Sequence, residues 1–269
     1  MLVGISTFTY TWAFGVPGSI PAIPMTLNKL IDKAVEFKAD CIQVADNYPL
    51  QDQSREELTG IRDYAQKNRI GIEVGGRGLS DENLDRYIRL ADYFSSPVLR
   101  MVIDRQEYQP DSETVVAVIR NALSNLESNG ITLALENHDR LPSSEFRQII
   151  EKVNSNFAGI CLDCVNSMGI GEGLATVMEN LAPFTVNLHV KDFSVKRVSH
   201  MMGFVIEGTP AGKGFLNLPL LMEILGSYGR CRSAILELWT PPAANLLETI
   251  SREEAWAGES IVYMKEIIY

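Results

Sequence analysis

The sequence predicts a protein of the α/β class, a single (β/α)8 TIM barrel over residues 1–269. Eight short apolar runs alternate with longer amphipathic stretches along the whole chain, which is the pattern of parallel βα units. A chain of 269 residues with 46% hydrophobic content can bury one sizeable core, and α/β barrels of this length are routinely one domain. Eight strands in strict alternation with eight helices is the element count of such a barrel.

The predicted strands are runs rich in Val, Ile and Leu, and the predicted helices carry one apolar face. The strands cover residues 2–6, 40–45, 69–74, 98–103, 131–136, 158–163, 185–190 and 233–237. The helices cover residues 26–38, 55–68, 81–94, 112–129, 143–153, 173–182, 217–228 and 246–267. A doubly wound open sheet is the alternative fold, but it usually has a glycine-rich turn after its first strand. This chain lacks such a turn there.

Local signals mark several of these boundaries. Ser80 is followed by acidic residues, as at the start of a helix, and Ser143 opens the fifth helix in a similar way. Gly130 is a helix stop directly before the fifth strand. Two long connections, residues 7–25 and 191–216, follow the first and seventh strands. In a barrel both would project from the C-terminal face, where we expect functional residues.

The charge balance and the cysteine usage limit the classes of function. A formal net charge of −10 argues against nucleic acid or an anionic membrane surface as a partner. No apolar stretch reaches the roughly 18 residues of a membrane span, and the N-terminus lacks the features of a signal peptide. We therefore expect a soluble cytoplasmic protein. Four cysteines are too few for a disulfide scaffold, and we predict that Cys161 and Cys164 are small buried residues.

Four of the predicted strands end in potential metal ligands. These residues are Glu136, Asp163, His189 and Glu237, at the ends of the fifth to eighth strands. Consecutive strands are neighbours in a barrel, so the four side chains would face one another across one side of its mouth. Three carboxylates placed together would repel one another without a cation. Carboxylates with one imidazole suit Mn²⁺, Mg²⁺, Co²⁺ or Zn²⁺, so the sequence predicts one divalent metal ion.

The strand ends and the loops beside them resemble the xylose-isomerase-like TIM barrels, the sugar (phosphate) isomerase/epimerase superfamily. The matching segments are residues 135–138, 161–167, 188–192, 208–214 and 236–237. The resemblance implies that the four strand-end residues bind one divalent metal, often manganese. It also implies that Glu136 and Glu237 act as catalytic acid and base, that the substrate is a carbohydrate, and that the protein forms a homo-oligomer.

The chain departs from the epimerases of that family at several polar positions. Asn166 stands three residues after the sixth-strand aspartate, where those epimerases carry a histidine, and Lys191 stands near the place of an arginine. A lysine also occurs in the Gly212–Gly214 turn, where they usually carry a glutamate. We expect the lysines to bind a carboxylate or phosphate of the substrate. The predicted substrate-binding residues are His138, Asn166, Lys191, His200, Lys213 and Trp12.

Simpler alternatives remain for some of these residues. Trp12 could pack in the core, Lys213 could be a solvated loop charge, and His138 could bond to a neighbouring loop. Glu73, at the end of the predicted third strand, and Arg100, in the fourth, could extend the site on its unliganded side, but a structural ion pair between them is the preferred expectation.

Two reactions fit the predicted site. The first is isomerisation or epimerisation of a keto-sugar or related polyol derivative through a metal-stabilised enediolate. The alternative is a metal-dependent dehydratase or decarboxylating lyase that acts on an oxo-sugar acid or inositol derivative. The endonucleases of this superfamily resemble multi-zinc proteins rich in histidine, and three histidines with a net charge of −10 do not fit them. A barrel that only binds its ligand is disfavoured, because both glutamates are present.

Overall fold

Eight parallel strands close into a barrel in the computed structural model, which describes residues 1–269. The strands, in chain order, are β1 (Leu2–Ser6), β2 (Cys41–Val44), β3 (Gly71–Arg77), β4 (Val98–Val102), β5 (Thr132–Glu136), β6 (Ala158–Asp163), β7 (Thr185–Val190), a hairpin of β8 (Phe193–Arg197) and β9 (Phe204–Gly208), and β10 (Ser233–Leu236). All of them except the hairpin belong to the barrel, and β10 pairs with both β7 and β1 to close the ring. The predicted (β/α)8 fold is confirmed.

Helices follow the barrel strands and bury their apolar faces around the barrel. They are α1 (Thr11–Phe14), α2 (Leu27–Glu36), α3 (Arg55–Asn68), α4 (Asp81–Phe94), α5 (Ser112–Ser128), α6 (Ser143–Val153), α7 (Leu174–Leu181), α8 (Leu218–Tyr228) and α9 (Leu246–Ile268). The predicted boundary signals hold, because the Ser80 side chain caps α4 and Gly130 follows α5 with a positive φ of 65°. None of the helices is both long and apolar enough to cross a membrane.

The third strand is longer than the sequence predicts. It continues to Arg77, because Gly75 and Gly76 remain in the strand and pair with β4 instead of forming a turn. Glu73 therefore lies within β3 and not at its end, where the sequence analysis places it. This shift of position changes the partners of Glu73.

The connection after β7, which the sequence predicts as a loop, contains the β8–β9 hairpin. The base of the hairpin lies against the segment that follows β10. At Gly208 a Cβ atom would come within 2.1 Å of the Trp239 carbonyl oxygen, so only glycine allows this close approach. The hairpin thereby becomes one wall of the barrel mouth.

The cysteines match the sequence prediction. None of the four forms a disulfide, and Cys161 and Cys164 are buried. Cys161 lies in β6 and Cys164 directly follows it. Burial raises the pKa of both thiols, which keeps them protonated and unreactive near neutral pH.

Candidate active site

The structure brings the four predicted metal ligands together at the C-terminal mouth of the barrel. Glu136 and Asp163 are the last residues of β5 and β6, His189 lies near the end of β7, and Glu237 directly follows β10. All four are at most 2% exposed. The His189 Nδ1 atom lies 3.7 Å from Glu136 Oε2, 3.8 Å from Asp163 Oδ2 and 3.5 Å from Glu237 Oε1. One imidazole nitrogen and three carboxylate oxygens thus surround a common point.

The protonation pattern of His189 suits a cation at that point. Its Nε2 atom lies 2.7 Å from Gln43 Oε1, which can only accept a hydrogen bond, so Nε2 carries a proton. Nδ1 of the neutral ring then directs its lone pair at the carboxylates, and Nδ1 has no hydrogen-bond partner. Burial alone would lower the pKa of His189, but Glu237 and Glu136 beside it raise the pKa. The residues therefore fit a divalent cation, in both charge and donor type.

Lys191 is a buried cation beside two of the same carboxylates. Its Nζ atom lies 2.7 Å from Asp163 Oδ2 and 2.9 Å from Glu237 Oε2. Burial alone would lower the pKa of Lys191, but Asp163 and Glu237 outweigh it and hold the pKa above its ordinary value. Burial would likewise raise the pKa of Asp163, yet Lys191 and His189 hold it well below the usual range. The ammonium and the carboxylates are therefore ionised together at neutral pH.

Glu136 is held from both of its oxygens. Arg100, which is 2% exposed, donates from Nε to Glu136 Oε2, and Asn166 donates from Nδ2 to Oε1 at 2.9 Å. The same guanidinium donates from Nη1 to Asp46 Oδ1 at 2.7 Å. Burial alone would lower the pKa of Arg100, but Glu136 and Asp46 raise it well above its ordinary value. Each carboxylate oxygen of Glu136 thus accepts a hydrogen bond from a positioned side chain.

The expected ion pair between Glu73 and Arg100 is wrong. The register of the sheet places Arg100 beside Gly75, two residues further along β3 than Glu73. Glu73 lies deeper in the barrel, opposite Gln43 of β2, and accepts hydrogen bonds from Gln43 Nε2 at 3.0 Å and Asn187 Nδ2 at 3.1 Å. Burial raises the pKa of Glu73. The prediction of the ion pair fails because β3 continues past its apolar run to Arg77, so Glu73 lies inside the barrel and not at the strand end.

A cavity of about 870 Å³ opens above the four strand ends. Of the predicted site residues, those that line it are Trp12, Glu136, His138, Asn166, Lys191 and Glu237. Phe8 and Trp239 add aromatic walls, and Lys191 Nζ lies 5.8 Å from the centre of the Trp239 ring. Asp163 and His189 lie beneath the cavity floor, fully buried. The space is that of a small-molecule site, with aromatic surfaces and convergent polar groups.

Arg77 lines the cavity and is not among the predicted site residues. It is the last residue of β3, and its Nε atom donates to Asp46 Oδ2 at 2.8 Å. Its Nη2 atom lies 3.4 Å from His138 Nε2, and His138 Nδ1 lies 2.5 Å from Asp139 Oδ1. Arg77 could have been found only if the two glycines before it had been interpreted as part of the strand. His138 both lines the cavity and bonds to its neighbours.

Lys213 and His200 lie outside the cavity, in contrast to the sequence prediction. Lys213 is exposed on the surface, with Nζ 3.1 Å from a carboxylate oxygen of Glu259 in α9. The reason is Asp192, whose carboxylate accepts the backbone N–H groups of residues 212, 214 and 216 and holds this turn against the barrel. His200 lies in the exposed turn of the hairpin. The alternative of a solvated lysine therefore describes Lys213.

Trp12 is held as a wall by two contacts. Its indole Nε1 donates to the Thr240 carbonyl oxygen at 2.8 Å. Its backbone N–H donates to Glu253 Oε1 at 2.9 Å, and the Ala13 N–H donates to Glu253 Oε2 at 3.0 Å. Burial raises the pKa of Glu253 to about 7, against the opposing effect of these two N–H groups. The long loop after β1 is thus tied to α9.

Fold and site together define a class of protein: a (β/α)8 barrel whose C-terminal mouth joins a carboxylate–imidazole cluster to a cavity of small-molecule size. Residues 31–267 match the model of the family described as xylose isomerase-like TIM barrel. The chain belongs to this family, as the resemblance of its strand ends indicates.

Several known proteins are similar to this chain in sequence or in fold. The chain is 29% identical to 3-oxo-isoapionate decarboxylase of Pectobacterium atrosepticum over 264 residues, which are 98% of this chain and 95% of that protein. Solved structures include D-psicose 3-epimerase in the presence of D-fructose, at 15% identity and TM-score 0.72, covering 100% of this chain and 99% of the other. A xylose isomerase-like barrel from Mycobacterium smegmatis in complex with magnesium has 14% identity and TM-score 0.71, covering 100% and 98%. These two structures share the fold with this chain.

Proposed function

We propose that this chain is a lyase that decarboxylates a polyhydroxylated 3-oxo acid, a small carbohydrate acid, at a divalent cation site. The observation that carries the proposal is that each candidate base is already ion-paired. Arg100 holds Glu136, and Lys191 holds Glu237 at 2.9 Å. The site therefore suits a reaction in which fixed cations stabilise a developing negative charge and no free carboxylate has to remove a carbon-bound proton.

A carboxylate paired with a buried cation is a weak base. Removal of a carbon-bound proton requires a base with a free lone pair and a suitable pKa. The ion pairs occupy an oxygen of each glutamate, and the pKa of Glu237 is depressed although burial alone would raise it. Loss of CO₂ from a 3-oxo acid needs no such base, because the electron pair of the breaking C–C bond moves to the neighbouring carbonyl oxygen.

The residues of the cavity match the charge changes of this reaction. The bond between the carboxylate carbon and C2 breaks, CO₂ leaves, and negative charge develops on the C3 oxygen. Lys191, at the cavity floor, supplies a fixed positive charge for that oxygen. C2 then takes one proton from solvent through the open cavity, which gives the ketone product. Arg77 and His138, on the cavity wall, are the candidate contacts of the substrate carboxylate before it leaves.

The cation would be held by Glu136, Asp163, His189 and Glu237. When bound, it would act as a Lewis acid on the substrate oxygen atoms. Mn²⁺ is our first choice from the carboxylate-rich donor set, with Mg²⁺, Co²⁺ and Zn²⁺ as the others. The 29% identity to a decarboxylase over nearly the full length of both proteins supports the same reaction class.

Isomerisation or epimerisation of a keto-sugar is the second candidate. It is favoured by the positions of Glu136 and Glu237, which approach the common point from β5 and from β10 and could serve two faces of a substrate. In that reaction the two ion pairs would have to open when substrate binds.

One assay separates the two candidates. Protein stripped with EDTA and reloaded with each of the four cations is incubated in D₂O with short polyhydroxylated 3-oxo acids, or with matched ketoses that lack the carboxylate. We expect CO₂ release and one solvent deuterium in the product from the acids, and no change in the ketoses. An epimerised ketose of unchanged carbon skeleton, with no CO₂ from any acid, would overturn the proposal.

A further inference from the structure

A buried polar cluster lies inside the barrel beneath His189. It consists of Gln43 of β2, Glu73 of β3 and Asn187 of β7, each at most 1% exposed. Gln43 Oε1 accepts a hydrogen bond from His189 Nε2 at 2.7 Å. This ring nitrogen is the one that faces away from the three carboxylates of the candidate cation site.

The amide of Gln43 can face His189 in only one orientation. Its Nε2 atom donates to Glu73 Oε2 at 3.0 Å and to Asn187 Oδ1 at 3.1 Å, so both of its protons have acceptors. A reversed amide would place its oxygen against those two oxygen atoms and would leave both acceptors without a donor. Glu73 and Asn187 together therefore fix Oε1 of Gln43 toward the histidine.

This orientation determines which nitrogen of His189 can bind a cation. Neutral imidazole has one N–H and one lone pair, and the hydrogen bond of one nitrogen sets the state of the other. We propose that Gln43 and Glu73 are positioning residues that keep His189 in the tautomer with its Nδ1 lone pair directed at the cation site. Glu73 acts through Gln43. The inference rests on the metal site of the proposed function.

The energetics of the cluster favour this role over a purely structural one. A carboxylate buried inside a barrel costs free energy unless it is fully hydrogen-bonded, and Glu73 Oε1 has no partner. Apolar residues of similar volume would stabilise a barrel interior at least as well as a buried polar group. The cluster instead forms a continuous chain of hydrogen bonds that ends on the histidine.

The test measures cation binding without turnover. Isothermal titration of EDTA-stripped protein with Mn²⁺ compares the wild type with Gln43→Met, which removes the acceptor at similar volume, and with Glu73→Gln. We expect Gln43→Met to weaken Mn²⁺ binding by about 10–100-fold and Glu73→Gln to weaken it less, because Asn187 still orients the amide. Thr132→Val is the matched control, since this buried barrel hydroxyl has no hydrogen-bond partner. Its Mn²⁺ affinity should equal that of the wild type.

Two further measurements distinguish positioning from a loss of packing. In the double variant Gln43→Glu/Glu73→Gln, residue 43 again offers an acceptor to Nε2, so Mn²⁺ affinity should recover relative to Gln43→Met. ¹⁵N NMR of the Zn²⁺-loaded protein, which has only three histidines, should show a His189 Nε2–H that is protected from exchange in the wild type. That signal should be lost in Gln43→Met.

Unchanged Mn²⁺ affinity in both single variants would overturn the inference. If Gln43→Met does not fold, Glu73→Gln and the double variant decide the question by the same titration. A wild type that binds no Mn²⁺ would overturn the metal site itself, together with the inference that rests on it.

Discussion

The two sides of the barrel mouth are built in different ways. The ligand side, at the ends of β5, β6, β7 and β10, carries Glu136, Asp163, His189 and Glu237. The ion-pair side, on β2, β3 and β4 and the loop after β2, carries Gln43, Asp46, Glu73, Arg77 and Arg100. On the ligand side every residue stands at a strand end or one residue from it. On the ion-pair side the residues come from different depths and reach across neighbouring strands.

The difference shows that some site residues recur at regular positions in the βα units, whereas others do not. Parallel strands end at the same level, so ligands at strand ends recur with the βα repeat. Arg100 joins Glu136 to Asp46, and its partners are set by register and side-chain length. The ligand side brings three carboxylates around one imidazole, and Arg100 of the ion-pair side limits the freedom of Glu136. Substitutions of Lys191, Arg100 and Glu253 test this division between the two sides.

Lys191 tests whether the ligand side needs a fixed positive charge. In Lys191→Met the developing oxyanion would lose its cationic partner, so we expect kcat to fall by about 10²–10³-fold. Steady-state measurement of CO₂ release checks this. Lys213→Met is the control, since that side chain pairs with Glu259 on the surface and should leave kcat unchanged. Equal losses in both variants would restore Lys213 to the site and contradict the structural assignment.

Arg100 tests whether the ion-pair side stabilises the barrel. Arg100→Met would leave two acidic groups without their buried partner, so we expect the free energy of unfolding to fall by about 3–5 kcal/mol in urea denaturation of metal-free protein. The exposed Arg86 forms a helical pair with Glu82, and Arg86→Met should cost less than about 1 kcal/mol. If Arg100→Met lowered the free energy of unfolding by less than about 1 kcal/mol, the contacts of Arg100 with Glu136 and Asp46 would not stabilise the barrel.

The third substitution concerns Glu253, which joins the loop after β1 to α9 between the two sides of the mouth. Its carboxyl ionises near 4.5 when unfolded but near 7 when folded, because burial raises the pKa. The folded state therefore holds the proton more tightly, and stability falls as pH rises from about 4.5 to 7 and then levels off, by about 3 kcal/mol in total.

The Glu253→Gln variant should lack this component. The difference in unfolding free energy between wild type and variant, measured by urea denaturation from acidic to alkaline pH, isolates the effect, since other groups titrate alike in both. Glu259→Gln, at an exposed position of the same helix, is the control. A difference that does not change with pH would show that Glu253 is not the group that titrates in this window.

The sequence predicts most of the fold and the residues on the ligand side of the barrel mouth. The apolar runs identified all eight barrel strands, and the polar residues that end four of them identified the cluster around His189. The hairpin of β8 and β9 was not predicted, because it is short and lies outside the barrel repeat. The place of Lys213 in the Gly212–Gly214 turn predicts contact with the substrate, and only the bonds to Asp192 show that the turn folds away from the cavity.

The sequence by itself determined the barrel, its approximate strand bounds and the four converging residues of the candidate cation site. These depend on hydrophobic periodicity and on the common level of parallel strand ends, both of which are local or repeating properties. Only the tertiary structure decided that Arg100 pairs with Glu136 and that Gln43 links Glu73 to His189. Such contacts join residues far apart in the chain, and the register of the closed sheet together with the length of each side chain selects them.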